Sequence, residues 1–186
     1  MKKTILTLTA VTLAGATPAV AGNITAEVRL GDVRSGQAPD STEYRVEYFA
    51  PAGSLLNYGA ELQVKQGNNE GSVDSKVSVK VGPAMPDVLG IHTVAYTELG
   101  KQLSTGDNGE FWGAAVKVSR PIVGPVSANI GYRHREGFKS LALNENRLSG
   151  GISLALSDAN SLGVTYYRTT GTTRADAIGL GLNHKF

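Results

Sequence analysis

From Ile24 onward, apolar residues recur at every second position in short runs, and breaks rich in Gly, Pro, Ser, Asn or Asp separate the runs. Period-two alternation predicts a strand with one apolar face and one polar or small face. Ile24, Ala26, Val28 and Leu30 alternate with Thr25, Glu27, Arg29 and Gly31, and Tyr44, Val46 and Tyr48 with Glu43, Arg45 and Glu47. Leu56, Tyr58, Ala60, Leu62 and Val64 oppose Asn57, Gly59, Glu61, Gln63 and Lys65, and Val77, Val79 and Val81 interleave with Lys76, Ser78 and Lys80. The fifth run, Val88 to Leu99, is the least regular; its best division sets Leu89, Ile91, Thr93, Ala95 and Leu99 against His92 and Glu98. Trp112, Ala114, Val116 and Val118 oppose Gly113, Ala115, Lys117 and Ser119; Val126, Ala128, Ile130 and Tyr132 oppose Ser127, Asn129, Gly131 and Arg133. Leu148 to Leu156, Leu162 to Tyr166 and Ala175 to Phe186 complete a set of ten. No apolar stretch of helix-spanning length, about 18 residues, occurs after the N-terminal segment. The predicted fold class is all-β.

The connections alternate in character. Odd-numbered breaks are polar and mostly longer, whereas the even ones (APAGS, GPAMPD, RPIVGP, SDANS) are short, and three of those four contain Pro. The last run has no turn to enter, so it must pair with something already made. Ile24 to Leu30 is the natural partner, and that pairing closes the sheet and removes its edges. An even number of strands returns both termini to the side of the short turns. The expectation is an antiparallel up-and-down transmembrane β-barrel of ten strands, with eight and twelve as the neighbouring even counts.

Alternation by itself does not say which row faces inward. In a soluble sheet the apolar row faces a core; in a membrane barrel it faces lipid and the polar row fills the lumen. Three features favour the inverted arrangement. The apolar rows are nearly free of charge through their middles. Tyr44, Tyr48, Trp112, Tyr132, Tyr166 and Phe186 lie toward the ends of runs, as interfacial girdles do. The opposite rows are rich in Gly, as at Gly59, Gly113, Gly131, Gly151, Gly163, Gly179 and Gly181; Gly weakens a solvated strand but suits a crowded interior.

Residues 1–21 are expected to be a cleaved export signal: Lys2 and Lys3, an apolar stretch from Ile5 to Ala16, then the small-x-small site Ala19-Val20-Ala21. Residues 22–186 then form one barrel domain. Without Lys2 and Lys3, the 18 basic residues become 16, balancing 16 acidic ones, so the net charge of +2 gives no reason to expect a nucleic-acid partner. Cysteine is absent, which excludes disulfides and thiolate metal sites.

On the inverted reading the lumen holds Arg29, Arg45, Lys65, Lys76, Lys80, Lys117, Arg133, Arg135, Arg147 and Lys185 against Glu27, Glu43, Glu47, Glu61, Asp74 and Glu98. Opposite charges in a confined space pair, because an unpaired charge out of bulk water is costly. Glu27, Arg29, Glu43, Arg45 and Glu47 should form a ladder across the first two strands. The basic surplus, concentrated on the fourth, seventh and eighth strands, would favour anions.

The alternating C-terminal run ending on Phe186 resembles the terminal signal strand of bacterial outer-membrane β-barrel proteins, which implies a role for Phe186 in recognition by the outer-membrane assembly machinery. Ile130-Gly131-Tyr132-Arg133-His134-Arg135, Asn144-Glu145-Asn146-Arg147-Leu148 and Gly163-Val164-Thr165-Tyr166-Tyr167-Arg168 resemble later strands of the oligogalacturonate-specific porin family. That resemblance covers about a quarter of the chain and implies that Arg133, Arg135 and Arg147 face an anionic solute in a small monomeric channel; those barrels have about twelve strands. His134 sits where lipid A deacylases keep a histidine, but Glu136 occupies the place of their serine, and no nucleophile–base–orienter set can be assembled. The reading is therefore a narrow, monomeric, non-enzymatic porin-like channel of the bacterial outer membrane. Its expected partners are membrane lipid, lipopolysaccharide and a small anionic solute, and it needs no cofactor. The alternatives are a closed structural or surface-binding barrel acting through its loops and, behind it, a lipid-modifying enzyme.

Overall fold

The computed structural model describes residues 21–31, 41–67, 73–104, 108–138, 141–172 and 174–186. Residues 1–20 of the expected leader and residues 32–40 of the first polar break lie outside the described residues. Ten antiparallel strands follow in chain order: β1 (Asn23–Gly31), β2 (Ser41–Ala52), β3 (Leu56–Gly67), β4 (Val73–Pro83), β5 (His92–Ser104), β6 (Gly109–Val123), β7 (Val126–Gly137), β8 (Asn144–Ala155), β9 (Asn160–Gly171) and β10 (Ala175–Lys185). Each pairs with its sequence neighbours, and β10 pairs with β1 from Asn23↔Lys185 to Gly31↔Ala177, closing the barrel. Phe186 extends the seam: its N–H donates to the Gly22 carbonyl at 2.9 Å, and its ring packs edge-on against His184, 4.7 Å between centroids.

The interior is polar. Among the described residues only Ala50, Phe111 and Leu141 are buried apolar side chains, whereas the buried polar and charged set includes Glu27, Arg29, Glu61, Lys80, Glu98, Arg133, Arg135 and Glu145. The apolar rows face outward, with Val79 63 %, Ile130 58 % and Leu180 54 % exposed. Such a surface is stable only against hydrocarbon. This is a closed transmembrane-type β-barrel with an inverted core.

Three expectations need correction. Leu89 is not part of the fifth strand: Val88 and Ile91 close a small turn of their own, with Leu89 at φ 53° and Gly90 at φ 74°, so β5 begins at His92 and the β4–β5 connection occupies residues 84–91. On the opposite side the strands run further than the apolar rows, through Ser104, Gly137 and Gly171, and shorten the odd-numbered polar breaks that follow the apolar runs ending at Leu99, Tyr132 and Tyr166. For the same reason Tyr132 and Tyr166 face outward in the middle of β7 and β9 instead of near strand ends. Tyr166 stands opposite Gly150, where a side chain would meet open space. Tyr44 and Trp112 lie nearer the loop side, and Tyr48 nearer the turn side, where it meets Tyr58 edge-on at 6.0 Å.

Candidate functional site: a salt-bridged waist in the lumen

Strand register carries the inward residues into hydrogen-bonded rows. Glu27 stands opposite Arg45, and Arg29 opposite Glu43, so the alternating charges of β1 and β2 meet as opposite signs. Arg29 Nη2 lies 2.7 Å from Glu27 and its Nη1 contacts Glu43; Arg45 pairs with Glu47 and, at 3.5 Å, with Glu27. Tyr167 donates to Glu27 from β9, and its ring lies 4.2 Å beneath the Arg29 guanidinium. Cross-strand pairs of this kind are the unit from which sheets gain specificity.

A second row crosses β4 to β8: Lys80, Glu98, Gly113, Arg135 and Glu145. Arg135 is 1 % exposed; its Nε lies 2.6 Å from Glu98, and its Nη groups donate at 2.7 Å to Gln63 and Glu61. Gly113 makes this possible, because a Cβ there would stand 2.8 Å from the Glu98 carboxylate and 3.0 Å from Arg135 Cγ. Phe111, fully buried, supports the guanidinium from one side at 4.9 Å.

Glu61 is the hub. It receives Arg45 at 2.8 Å, Lys80 at 2.6 Å, Arg133 at 3.3 Å and Arg135 at 2.7 Å, so cations from β2, β4 and β7 converge on one carboxylate of β3. Contacts between residues 72 and 74 positions apart span the lumen. Glu145 is a second hub, reached by Arg133 at 3.1 Å, Arg147 at 3.2 Å and Lys76 at 3.5 Å. Charge-assisted hydrogen bonds of this geometry are among the strong ones, and a half-satisfied buried network would be worse than an apolar filling.

This waist divides the lumen into two cavities. The turn-side cavity, of about 360 Å³, is bounded by Asn23, Phe49, Tyr96, Lys117, Asn129, Arg147, Thr165, Tyr167 and Asn183, among others. The loop-side cavity, of about 170 Å³, lies between Asp74, Lys76, Gln102, Thr172 and the segment from Leu141 to Glu145. Leu141 is buried there although it belongs to a connection, and it lines that cavity.

All twelve lumen residues expected from sequence (Arg29, Arg45, Lys76, Lys80, Lys117, Arg133, Arg135, Arg147, Glu27, Glu43, Glu47 and Glu61) fall on the inward row, since each is in register with another inward residue across a strand pair. Eleven of them join the network, and Lys117 does not. Sequence reasoning missed Glu145, because Asn144-Glu145-Asn146 reads as loop while β8 begins at Asn144. The cations of β4, β7 and β8 are therefore not a bare wall: each has a carboxylate partner.

The histidines lie elsewhere. His92 contacts Asp87 at 2.7 Å at the turn-side rim, and His184 contacts Asn160 at 2.9 Å. His134 faces outward, 2.9 Å from Asn146, which also accepts from Tyr132 at 2.7 Å.

No protein-family model matches the chain, and no curated protein matches it in sequence. Solved structures do resemble it. The β domain of the Bordetella autotransporter Brka is similar with a TM-score of 0.54 and 10% identity, over 91% of this chain and 100% of that one. A bacterial polysaccharide outer membrane secretin is similar with a TM-score of 0.50 and 9% identity, over 78% of this chain; the chain spans 57% of the secretin's length. The KdgM porin in complex with disordered oligogalacturonate overlaps less well, with a TM-score of 0.49 and 10% identity, over 88% of this chain and 99% of that one. The shared feature at these identities is the transmembrane barrel.

Proposed function

We propose that the protein is a bacterial outer-membrane barrel of the porin-like kind, with its termini and short turns in the periplasm, and that its lumen is a narrow path for small solutes kept shut at rest by the salt-bridged waist. One observation carries this reading. The two cavities are separated by side chains alone among the described residues, with Glu61, Glu98, Lys80 and Arg135 between 1 % and 3 % exposed. Side chains anchored on strands can part without unfolding the barrel, whereas a backbone plug could not.

Opening would need several ion pairs to be exchanged for water. In a wet lumen that exchange costs far less than in hydrocarbon, because water replaces the lost partners. The cations in excess of carboxylates would make the open path prefer anions. No enzymatic role is assigned: the outward His134 has the Asn146 amide, the Glu136 carboxylate and the Trp112 ring as neighbours, and among the described residues no hydroxyl nucleophile contacts it.

Planar-bilayer recording of refolded protein tests the reading. Wild type should give brief, small openings with a reversal potential on the anion side, and Arg135→Ala, which removes the side chain bridging Glu61, Gln63 and Glu98, should lengthen them. The dense burial of the waist also favours a second reading, a permanently closed structural barrel. Silence in both wild type and Arg135→Ala, with correctly folded protein, would replace the first reading by the second.

A further inference from the structure

We infer that the turn-side cavity is a binding site for a small oxoanion, of the carboxylate or phosphate class, centred on Lys117. The cavity has the size of a ligand site, about 360 Å³. The charged side chains around it are five cations (Arg29, Arg45, Lys117, Arg133 and Arg147) and one carboxylate, Glu47, apart from His92 at the mouth. The four arginines are already anchored from behind by Glu27, Glu43, Glu61 and Glu145. Glu47 is taken by Arg45 and Lys80.

Lys117 is different. It is exposed to the cavity, and among the described residues no carboxylate lies within ion-pair distance of it. Its neighbours across β5 and β7 are Val94 and Gly131, neither of which offers a charge. A Cβ at Gly131 would stand 3.6 Å from Lys117 Cβ and 2.8 Å from Ser149 Oγ, so the glycine keeps the wall at the base of the lysine side chain low. A lone charge held in a protein-walled space lacks the hydration it would have in bulk water, and an anion restores a favourable partner.

The neighbouring guanidiniums sharpen the class of ligand. Arg133 Nε and Arg147 Nε and Nη1 are buried without a hydrogen-bond partner, on side chains only 8 % and 12 % exposed. An anion with two or three oxygens can take an ammonium on one and a guanidinium N–H on another after a modest side-chain shift, which a halide cannot do. Ser149 and Thr165 place neutral hydroxyls on the same wall. Because the waist closes the inner end, the ligand enters and leaves from the turn side. Occupancy requires no conduction, so the site stands or falls separately from the transport reading.

The test is an NMR titration of refolded, isotope-labelled full barrel in detergent micelles with inorganic phosphate and, separately, acetate at constant ionic strength. Saturable amide shifts at Lys117, Gly131, Ser149 and Thr165, without shifts at Gln102 and Leu143 around the other cavity, support the site for whichever probe produces them. Lys117→Met should weaken binding at least tenfold and Lys117→Arg should retain it. Shifts with neither probe, shifts of equal size around both cavities, or unchanged affinity in Lys117→Met would overturn it.

Discussion

Replacing Glu61 by Gln keeps the size of the side chain and removes the single charge on which Arg45, Lys80, Arg133 and Arg135 converge at 2.6 to 3.3 Å. At an effective dielectric constant of about 20, each such contact is worth roughly 5 kcal/mol of Coulomb attraction. Most of that is offset by the desolvation of both partners, and removing one member of a buried pair typically costs about 3–5 kcal/mol. Every cation here keeps a second anchor: Glu47 for Arg45 and Lys80, Glu145 for Arg133 and Glu98 for Arg135. The loss should therefore lie at the low end, about 3 kcal/mol. Glu98→Gln is the comparison. Glu98 has one ion-paired cation, Arg135, and one hydroxyl donor, Ser78 at 3.0 Å, so about half that loss is expected. Equilibrium urea unfolding in lipid vesicles, followed by Trp112 fluorescence and by heat-modifiable gel migration, measures both. Glu61→Gln within about 0.5 kcal/mol of wild type, the range of ordinary surface substitutions, would falsify the hub assignment. A larger loss in Glu98→Gln would reverse the ranking and place the hub elsewhere.

Two further predictions separate the two faces and the two ends. Gly113→Ala places a methyl 2.6 Å from the His134 carbonyl and 2.8 Å from Glu98, and should cost about 1–3 kcal/mol by overpacking; Gly150→Ala, which enters open space on the outward face, should change stability by no more than about 0.5 kcal/mol, both read from the same unfolding curves. Deleting Phe186 removes the ring packed on His184 and the bond to Gly22, and should lower the folded, heat-modifiable fraction recovered from membranes; recovery at wild-type yield would show that neither contact matters for assembly.

Much of the architecture is legible in the chain because strand periodicity is local. Ile178, Leu180 and Leu182 alternating with Gly179, Gly181 and Asn183 dictate a strand, and an even set of such strands with short turns dictates closure onto Ile24–Leu30. Opposite charges two residues apart on β1 and β2 announce a ladder, and the register completes it: Glu27 faces Arg45 and Arg29 faces Glu43, whereas a slip of two residues, which keeps the faces aligned, would set Glu27 against Glu47 and Arg29 against Arg45. Strand ends are less legible. Polar residues such as Asn144 and Glu145 extend β8 through backbone pairing with β7 and β9, which their own side chains do not advertise. That is why the second hub was missed, and why Tyr132 and Tyr166 lie in mid-strand.

The sequence by itself determined ten alternating runs, a closing seam and two chemically distinct rows, because each follows from neighbours one or two residues apart. Only the tertiary structure decided that Glu61 collects cations from three strands, that Glu145 balances the far wall and that Lys117 is left over. Those outcomes depend on which residues face one another across a lumen narrow enough for a guanidinium to reach the opposite strand. That distance is set by strand number and shear, not by any local stretch of the chain.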